Sequence, residues 1–196
     1  MVKLLYIDCC IRRKESRTRQ LAEAFLAELQ TKGAYQMERF CLMDEPLMAL
    51  SEGFFAQRES LLAEHYRLHP RFRYAHQFNQ ADRVVVAAPF WDLGFPALLK
   101  LYIENISVEG ITFGVDEHGT HGLCKAERLL FLTTRGGSYN NSPLEMGARY
   151  LEALCAFWGI PRFDVVAADG LDLGREEVKT ILDRAIGEAL TLVEDF

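Results

Sequence analysis

The sequence predicts an α/β fold in which a doubly wound, five-stranded parallel sheet carries helices on both faces. Short apolar runs alternate five times with longer segments whose apolar residues recur at helical spacing. One run, Arg83 to Pro89, is nearly continuous Val and Ala, which is typical of a strand buried on both faces. Because right-handed crossovers leave few other arrangements, this alternation favours one parallel sheet with helices on both faces. The strand order expected for it is 2-1-3-4-5.

The first half of the chain supplies the first two strands and two helical segments. Residues 3–8 predict the first strand, and apolar residues at helical spacing between Leu21 and Leu29 predict the helix that follows it. Gly33 is a plausible stop for this helix, and Tyr35 to Leu42 predict the second strand. The polar, aromatic-rich stretch from about Ser51 to Gln80 predicts a longer, more exposed helical segment.

The second half completes the alternation without a linker or a repeat, so residues 1–196 are expected to form one domain. Pro96 fits the first turn of a helix that continues to Ile103. Three glycines surround short apolar pieces within residues 111–123 and predict an excursion or hairpin. The remaining predicted elements are a strand at 128–134, a helix at 144–158, a strand at 163–168 and a helix at 176–192.

Composition excludes several classes of function. The formal net charge of −6 offers no basic face for nucleic acid. No apolar run approaches the length that spans a bilayer, and the N-terminal apolar run is too short for a signal peptide, so we expect a cytoplasmic protein with no membrane partner. The five cysteines form neither a disulfide framework nor a CxxC metal pair, which fits reduced thiols and no bound metal.

Ligands of such sheets bind beyond the carboxyl ends of the strands, where the strand order reverses. The first loop at that edge, Cys9 to Arg19, ends with Ser16 and Thr18 just before a helix. Hydroxyl groups and free amide groups at a helix N-terminus form a natural phosphate site. The alternative is that Ser16 or Thr18 only caps the helix.

Two further loops reach the same edge. The loop after the third strand carries Phe90, Trp91 and Phe95, which suit a planar heteroaromatic ligand or, alternatively, the protein core. The loop after the fourth strand contains Gly136 and Gly137, which let the backbone approach a ligand closely or simply form a turn. The three loops converge on one crevice, and this convergence favours a single ligand with a phosphate and a planar ring.

Other phosphate-binding motifs are absent or imperfect. The first loop has no GxGxxG and no GxxxxGK[ST], so neither a dinucleotide fingerprint nor a P-loop is present. Cys10 followed by Arg17 and Thr18 is similar to the Cys-x5-Arg-[Ser/Thr] loop of low-molecular-weight tyrosine phosphatases. Six residues separate Cys10 from Arg17 instead of five, so a phosphatase that uses Cys10 is a remote alternative.

A family resemblance runs through nearly the whole chain. It is carried by the Ser16-Arg-Thr18 loop end, the Pro89-Phe-Trp-Asp-Leu93 loop, Gly110-Ile-Thr-Phe113 and Thr134-Arg-Gly-Gly137, with Tyr150-Leu and Gly159-Ile after them. In this pattern the chain resembles FMN-dependent NADH azoreductases and related NAD(P)H quinone reductases, which have a flavodoxin-like fold. The resemblance implies ping-pong, two-electron hydride transfer from NADH or NADPH through FMN to a quinone, azo or nitroaromatic compound.

The resemblance also implies a cofactor site and a homodimer with the flavins at its interface. FMN supplies the reacting atom, so no catalytic side chain is required. The resemblance implies that Phe157 forms part of the acceptor pocket of the partner subunit. Phe113 and His118 are also expected in the acceptor pocket, His118 because it lies in the excursion at residues 111–123; a solvated His118 is the alternative. The implied cofactor-binding residues are Cys10, Ser16, Arg17 and Thr18 at the phosphate, Phe90, Trp91, Asp92 and Leu93 along the ring, and Thr134, Arg135, Gly136 and Gly137 at its other edge.

The chain departs from the family pattern at two positions. Cys10 replaces a serine and Asp92 replaces an asparagine, so one hydrogen bond is weaker and a carboxylate comes near the ring unless only its backbone faces the flavin. The basic Arg12-Arg-Lys14 segment has three alternative roles: strengthening phosphate binding, reaching an NADPH 2′-phosphate, or being simply solvated. A flavodoxin-type electron carrier or a flavin-binding sensor without NAD(P)H activity is the alternative function.

Overall fold

A parallel sheet of five strands forms the centre of the computed structural model, which describes residues 1–196. Every neighbouring pair of strands in this sheet is parallel, and the strand order is the one predicted from the sequence. In chain order the strands are β1 (Val2–Asp8), β2 (Tyr35–Cys41), β3 (Arg83–Ala87), β6 (Arg128–Thr134) and β7 (Arg162–Ala168), and they lie in the order β2-β1-β3-β6-β7.

Helices cover both faces of the sheet, as predicted, and the alternation of side chains along the strands creates two separate cores. In β3, Val84 and Val86 enter one core while Val85 and Ala87 enter the other. The first face is covered by α3 (Arg73–Gln80), α4 (Ala97–Ile106) and α5 (Gly147–Trp158), and the second by α1 (Arg17–Lys32) and α6 (Val178–Thr191). The central strands are thus buried on both sides.

The segment predicted as one helical stretch from Ser51 to Gln80 is interrupted. It forms α2 (Glu52–Ala63), a non-helical connection, a short 3-10 turn at Pro70–Phe72 and then α3. Pro70 has no amide hydrogen and cannot continue a helix begun before it. The predicted helix at 144–158 likewise starts later, at Gly147, and the Glu145 carboxylate accepts a hydrogen bond from the Ala148 amide in its first turn.

The predicted excursion at residues 111–123 is an antiparallel hairpin of β4 (Phe113–Asp116) and β5 (Gly119–Gly122). It lies against the C-terminal end of α5, where the Cys124 amide donates to the Trp158 carbonyl at 3.1 Å. The two backbones approach so closely that a Cβ atom on Gly122 would lie 2.0 Å from the Gly159 nitrogen. Only glycine fits at this contact.

Disulfide bonds, metal-binding clusters and membrane-spanning helices are all absent from the structure. All five cysteines are unpaired thiols. No group of three His, Cys, Asp or Glu side chains is placed to hold a metal ion. Every helix of the structure is too short or too polar to cross a lipid bilayer.

The hairpin contact gives a stability test. Gly122→Ala is expected to lower the free energy of unfolding by about 2 kcal/mol, because its Cβ atom overlaps backbone atoms that belong to α5. The matched control is Gly187→Ala at an exposed position of α6, where an added Cβ atom meets nothing within 4 Å and helix propensity predicts a gain of about 0.5–1 kcal/mol. Urea denaturation of both variants measures the difference, and equal stabilities would contradict the contact.

Candidate functional site

A cavity of about 480 Å³ lies at the carboxyl ends of β1, β3 and β6. This volume is within the range of small-molecule sites. All three loops singled out in the sequence contribute to its walls, and so does the loop that follows β7. The structure thus brings together, at one place, eleven of the twelve residues expected to hold a cofactor; Cys10 is the exception.

The N-terminus of α1 forms one end of the cavity. Ser16 is the N-cap residue of this helix, and its hydroxyl accepts a hydrogen bond from the Arg19 amide at 3.3 Å. The amide groups of Arg17 and Thr18 have no acceptor within the chain, as expected for a first helical turn. The cap and the anion site are therefore compatible, because capping uses the Arg19 amide and leaves two other donors free.

Two buried threonines join this helix to the sheet. The hydroxyl groups of Thr18 and Thr134 lie 2.6 Å apart, and the two residues are 0% and 9% exposed. Thr18 is in the first turn of α1, and Thr134 is the last residue of β6. This hydrogen bond fixes the distance between the anion end of the cavity and the loop that follows β6.

The loop after β3 contains a strained turn. Trp91 and Gly94 exchange hydrogen bonds through their backbone groups, at 3.2 and 2.8 Å. The two residues between them, Asp92 and Leu93, have φ angles of 50° and 65°. Paired positive φ values are typical of a type I′ turn, but each costs about 1–3 kcal/mol in a residue other than glycine. The amide groups of Asp92 and Leu93 have no acceptor within the chain.

The same loop is attached to β6. The Phe90 amide donates to the Thr134 carbonyl at 3.0 Å, so the hydrogen-bond ladder continues beyond the last residue of β3. The Phe90 ring lies against the Tyr139 ring, with the centroids 4.6 Å apart. Phe90 is half-buried behind the cavity, whereas Trp91 and Leu93 are 41% and 38% exposed at its rim.

The glycine turn after β6 is held by the loop after β7. The amide groups of Gly170, Leu171 and Asp172 donate to the carbonyl groups of Gly137, Arg135 and Gly136, respectively, at 2.9–3.0 Å. The amide groups of Gly136 and Gly137 have no acceptor within the chain and belong to the cavity wall. The turn therefore presents donors while its carbonyl groups are already satisfied.

Arg135 is buried beneath this turn and is 4% exposed. Its guanidinium group lies 3.2 Å from Glu145 and 3.5 Å from Asp169, and it lies over the Phe90 ring at 5.5 Å from the centroid. Asp169 also accepts the Tyr139 amide at 2.9 Å. Arg135 thus connects the aromatic loop, the loop after β7 and the start of α5.

Cys10, expected at the phosphate, does not line the cavity. Its side chain is fully buried in the second core, and its thiol donates to the Ala87 carbonyl at 3.6 Å. Burial, together with the nearby Asp8 carboxylate, raises the pKa of the Cys10 thiol well above its ordinary value. The thiol also lies outside the cavity, so the structure does not support the phosphatase alternative.

The three residues expected in the acceptor pocket do not line the cavity of the single chain. The Phe113 and Phe157 rings pack against each other, with the centroids 4.6 Å apart, where the hairpin meets α5. The His118 side chain is 86% exposed at the hairpin tip, beside Glu117. Within one chain, these three residues therefore lie outside the cavity.

The basic residues before α1 do not all lie at the cavity. Arg12 lines the cavity and forms an exposed ion pair with Glu15 at 3.3 Å. Arg13 points instead to Asp44, at 2.7 Å, outside the cavity. Lys14 is exposed, as expected for a solvated residue.

Sequence reasoning missed part of the wall. The loop after β7 was not expected at the site, yet it supplies Leu171 and Asp172. The topological rule that located the other three loops also applies to this one, because all parallel strands end at the same edge. The additional cavity residues not assigned from the sequence are Ile11, Arg12, Pro89, Tyr139, Leu171 and Asp172.

Comparison with known proteins agrees with the fold. Residues 2–193 match a protein family described as having a flavodoxin-like fold. The chain is 34% identical to FMN-dependent NADH:quinone oxidoreductase 2 of Clostridium perfringens over 198 residues, which cover all of both chains. It is 36% identical to the protein of the same name from Clostridium acetobutylicum over 201 residues, again with full coverage of both. The chain belongs to this flavodoxin-like family of FMN-dependent NADH:quinone oxidoreductases.

Solved structures of azoreductases have the same fold as this member of the family. The crystal structure of azoreductase from Bacillus anthracis strain Sterne superposes with a TM-score of 0.89 at 25% identity, with full coverage of both chains. An FMN-dependent NADH-azoreductase from Bacillus anthracis strain Ames Ancestor, solved in complex with FMN, superposes with a TM-score of 0.87 at 22% identity. That superposition covers all of this chain and 99% of the other.

Removing the buried cation is expected to destabilise the site. Arg135→Met leaves Glu145 and Asp169 without their ion-pair partner, and the free energy of unfolding is expected to fall by about 3 kcal/mol. The matched control is Arg149→Met, because Arg149 is exposed on α5 and a change of about 0.5 kcal/mol or less is expected there. Denaturant unfolding measures the free energy of unfolding of both variants. Similar losses would contradict a stabilising role for the ion pairs of Arg135 with Glu145 and Asp169.

Proposed function

We propose that this chain is an FMN-dependent NADH:quinone oxidoreductase that also accepts azo compounds. The observation that carries the proposal is the single cavity that joins a helix N-terminus to two turns with free amide groups. The function named for the relatives, at 34–36% identity over the full chain, supports it.

The phosphate of FMN fits the end of the cavity formed by α1. A dianion needs several hydrogen-bond donors and a positive potential, and a helix N-terminus supplies both. The free amide groups of Arg17 and Thr18, the Ser16 hydroxyl and two nearby guanidinium groups, of Arg12 and Arg17, are the available donors. We assign the phosphate to these groups.

The isoalloxazine ring fits the other two loops. Its polar edges carry carbonyl oxygens and ring nitrogens that accept hydrogen bonds, and free amide groups are present on Asp92, Leu93, Gly136 and Gly137. Because these donors are backbone amide groups, having Asp92 where the family has an asparagine removes none of them. The exposed Trp91 side chain supplies an apolar surface beside the ring position.

The chain itself positions the reactants and leaves the electron transfer to its cofactor. When bound, FMN supplies the flavin N5 that accepts a hydride from NADH and donates it to the acceptor. The turn around Asp92 and the glycine turn hold the ring by backbone groups, while Trp91 and Leu93 border the open side of the cavity. We propose that NADH and the acceptor stack in turn on the same face of the flavin, which gives ping-pong kinetics.

The alternative, an electron carrier or flavin-binding sensor, has the same fold and cofactor but no reaction with NADH. The moderate net charge of −6 and the small-molecule cavity favour the enzyme. The choice depends on whether NADH reduces the bound flavin, which a carrier does not require.

The purified protein is expected to be yellow, and NADH added without oxygen is expected to bleach its visible flavin absorbance. A quinone added next should restore the colour in a single turnover. NADPH at the same concentration serves as the comparison for donor preference. A yellow protein that keeps its colour with both donors would instead support the electron carrier.

We further propose a homodimer that closes the mouth of the cavity, and a cytoplasmic location, which suits the unpaired cysteines. Large apolar side chains are exposed beside the cavity rim. A hydrogen bond from the Met146 amide to the Leu93 carbonyl, at 3.0 Å, joins this region to the rim. A contiguous apolar patch next to a site is typical of an interface. The patch comprises Trp91, Leu93, Leu144, Met146 and Tyr150, which are 37–52% exposed.

Interrupting this patch tests the dimer. Met146→Glu is expected to convert the dimer to a monomer in sedimentation velocity, because it buries a charge in the proposed interface. Leu68→Glu is the matched control: Leu68 is 82% exposed between α2 and α3, so the dimer is expected to persist. A wild-type protein that sediments as a monomer at micromolar concentration would refute the proposal.

A further inference from the structure

Asp172, in the loop after β7, is a cavity residue to which the proposed function gives no role. Its amide donates to the Gly136 carbonyl at 2.9 Å, and the amides of Gly170 and Leu171 are bonded to the same turn. Three successive hydrogen bonds hold this loop against the glycine turn. The position of the Asp172 side chain is therefore set by paired backbone on both sides.

The Asp172 carboxylate lies between the glycine turn and α1. One oxygen occupies the space that a Cβ atom on Gly136 would need, at 2.5 Å from the Cβ position. The other oxygen accepts a hydrogen bond from Arg17 Nη1 at 2.7 Å. A single carboxylate thus connects the turn assigned to the ring with the helix end assigned to the phosphate.

Arg17 retains most of its donors in this arrangement. A guanidinium group has five N–H donors, and the Asp172 carboxylate is the only acceptor bonded to the Arg17 side chain within the chain. Arg17 is also the first residue of α1, so its side chain starts beside the two free amide groups. Arg12, the other cavity arginine, pairs with Glu15 of its own loop and is 63% exposed.

A carboxylate beside an anion site has two opposing effects. It repels a bound phosphate, but it also holds a long, flexible side chain in one conformation before the ligand arrives. The Asp172 side chain is 66% exposed, so water and salt weaken its repulsion of a phosphate. Prior ordering of arginine removes an entropy cost that binding would otherwise incur.

We propose that Asp172 is a positioning residue that holds the Arg17 guanidinium across the phosphate end of the cavity, so that the pair selects phosphorylated flavin over riboflavin. This inference rests on FMN being the bound cofactor. Riboflavin has the same ring and ribityl chain but no phosphate, so it does not use the Arg17 guanidinium as an anion partner.

The test measures FMN and riboflavin binding to the cofactor-free full chain by flavin fluorescence. Asp172→Asn is expected to raise the Kd for FMN about tenfold, the size of one charge-assisted contact, while the Kd for riboflavin changes by about twofold or less. Arg17→Met should weaken FMN binding at least as strongly, and the double variant should be no weaker than Arg17→Met alone. The matched control is Glu177→Gln, which removes one exposed carboxylate from the same connection without touching the cavity.

Each other outcome overturns the inference for a distinct reason. Tighter FMN binding by Asp172→Asn would mean that repulsion dominates. An equal loss of FMN and riboflavin binding would mean that Asp172 only supports the glycine turn, and additive losses in the double variant would mean that Arg17 and Asp172 act separately. If the wild-type chain binds neither flavin, the proposed function fails as well, which distinguishes that case from a failure of Asp172 alone.

Discussion

The parallel pairing of β1, β3 and β6 is the constraint on which the site depends. Their register places Asp8 beside Ala87 and Ala87 beside Leu132, so the strands finish at nearly the same level. The polypeptide must leave the sheet there, and each departing loop has backbone amide groups that the ladder no longer satisfies. A cavity surrounded by such donors is a direct consequence, and a ligand with several acceptors satisfies them.

The loop that follows β3 is strained, and neighbouring hydrogen bonds and ion pairs hold it in place. Two adjacent residues, Asp92 and Leu93, adopt left-handed backbone conformations that a free peptide would avoid. The bond from the Phe90 amide to Thr134, and the bond from the Met146 amide to Leu93, hold that turn on both sides. The buried Arg135 then connects the surrounding loops through charge and ring contacts. The cavity is therefore shaped before a ligand enters, which reduces the entropy lost on binding.

Periodicity predicted the elements well where they are strongly apolar. The run from Arg83 read as a buried strand because both neighbouring cores demand apolar side chains. The stretch from Ser51 to Gln80 was less well predicted, because α2 buries none of its residues completely and its pattern was weak. Cys10 was assigned to the phosphate through the family resemblance, but its thiol turns into the core, a choice of side-chain direction that depends on α1 and the neighbouring strand.

The sequence by itself determined the sheet, the order of its elements and the three loops in which ligand chemistry is concentrated. These features depend on local periodicity and on residues that are close in the chain, such as Gly136 and Gly137. Only the tertiary structure placed Asp172 beside Arg17, 155 positions apart, and joined Thr18 to Thr134. Such contacts arise when strands β1, β6 and β7 end at one edge, so no local pattern in the sequence specifies them.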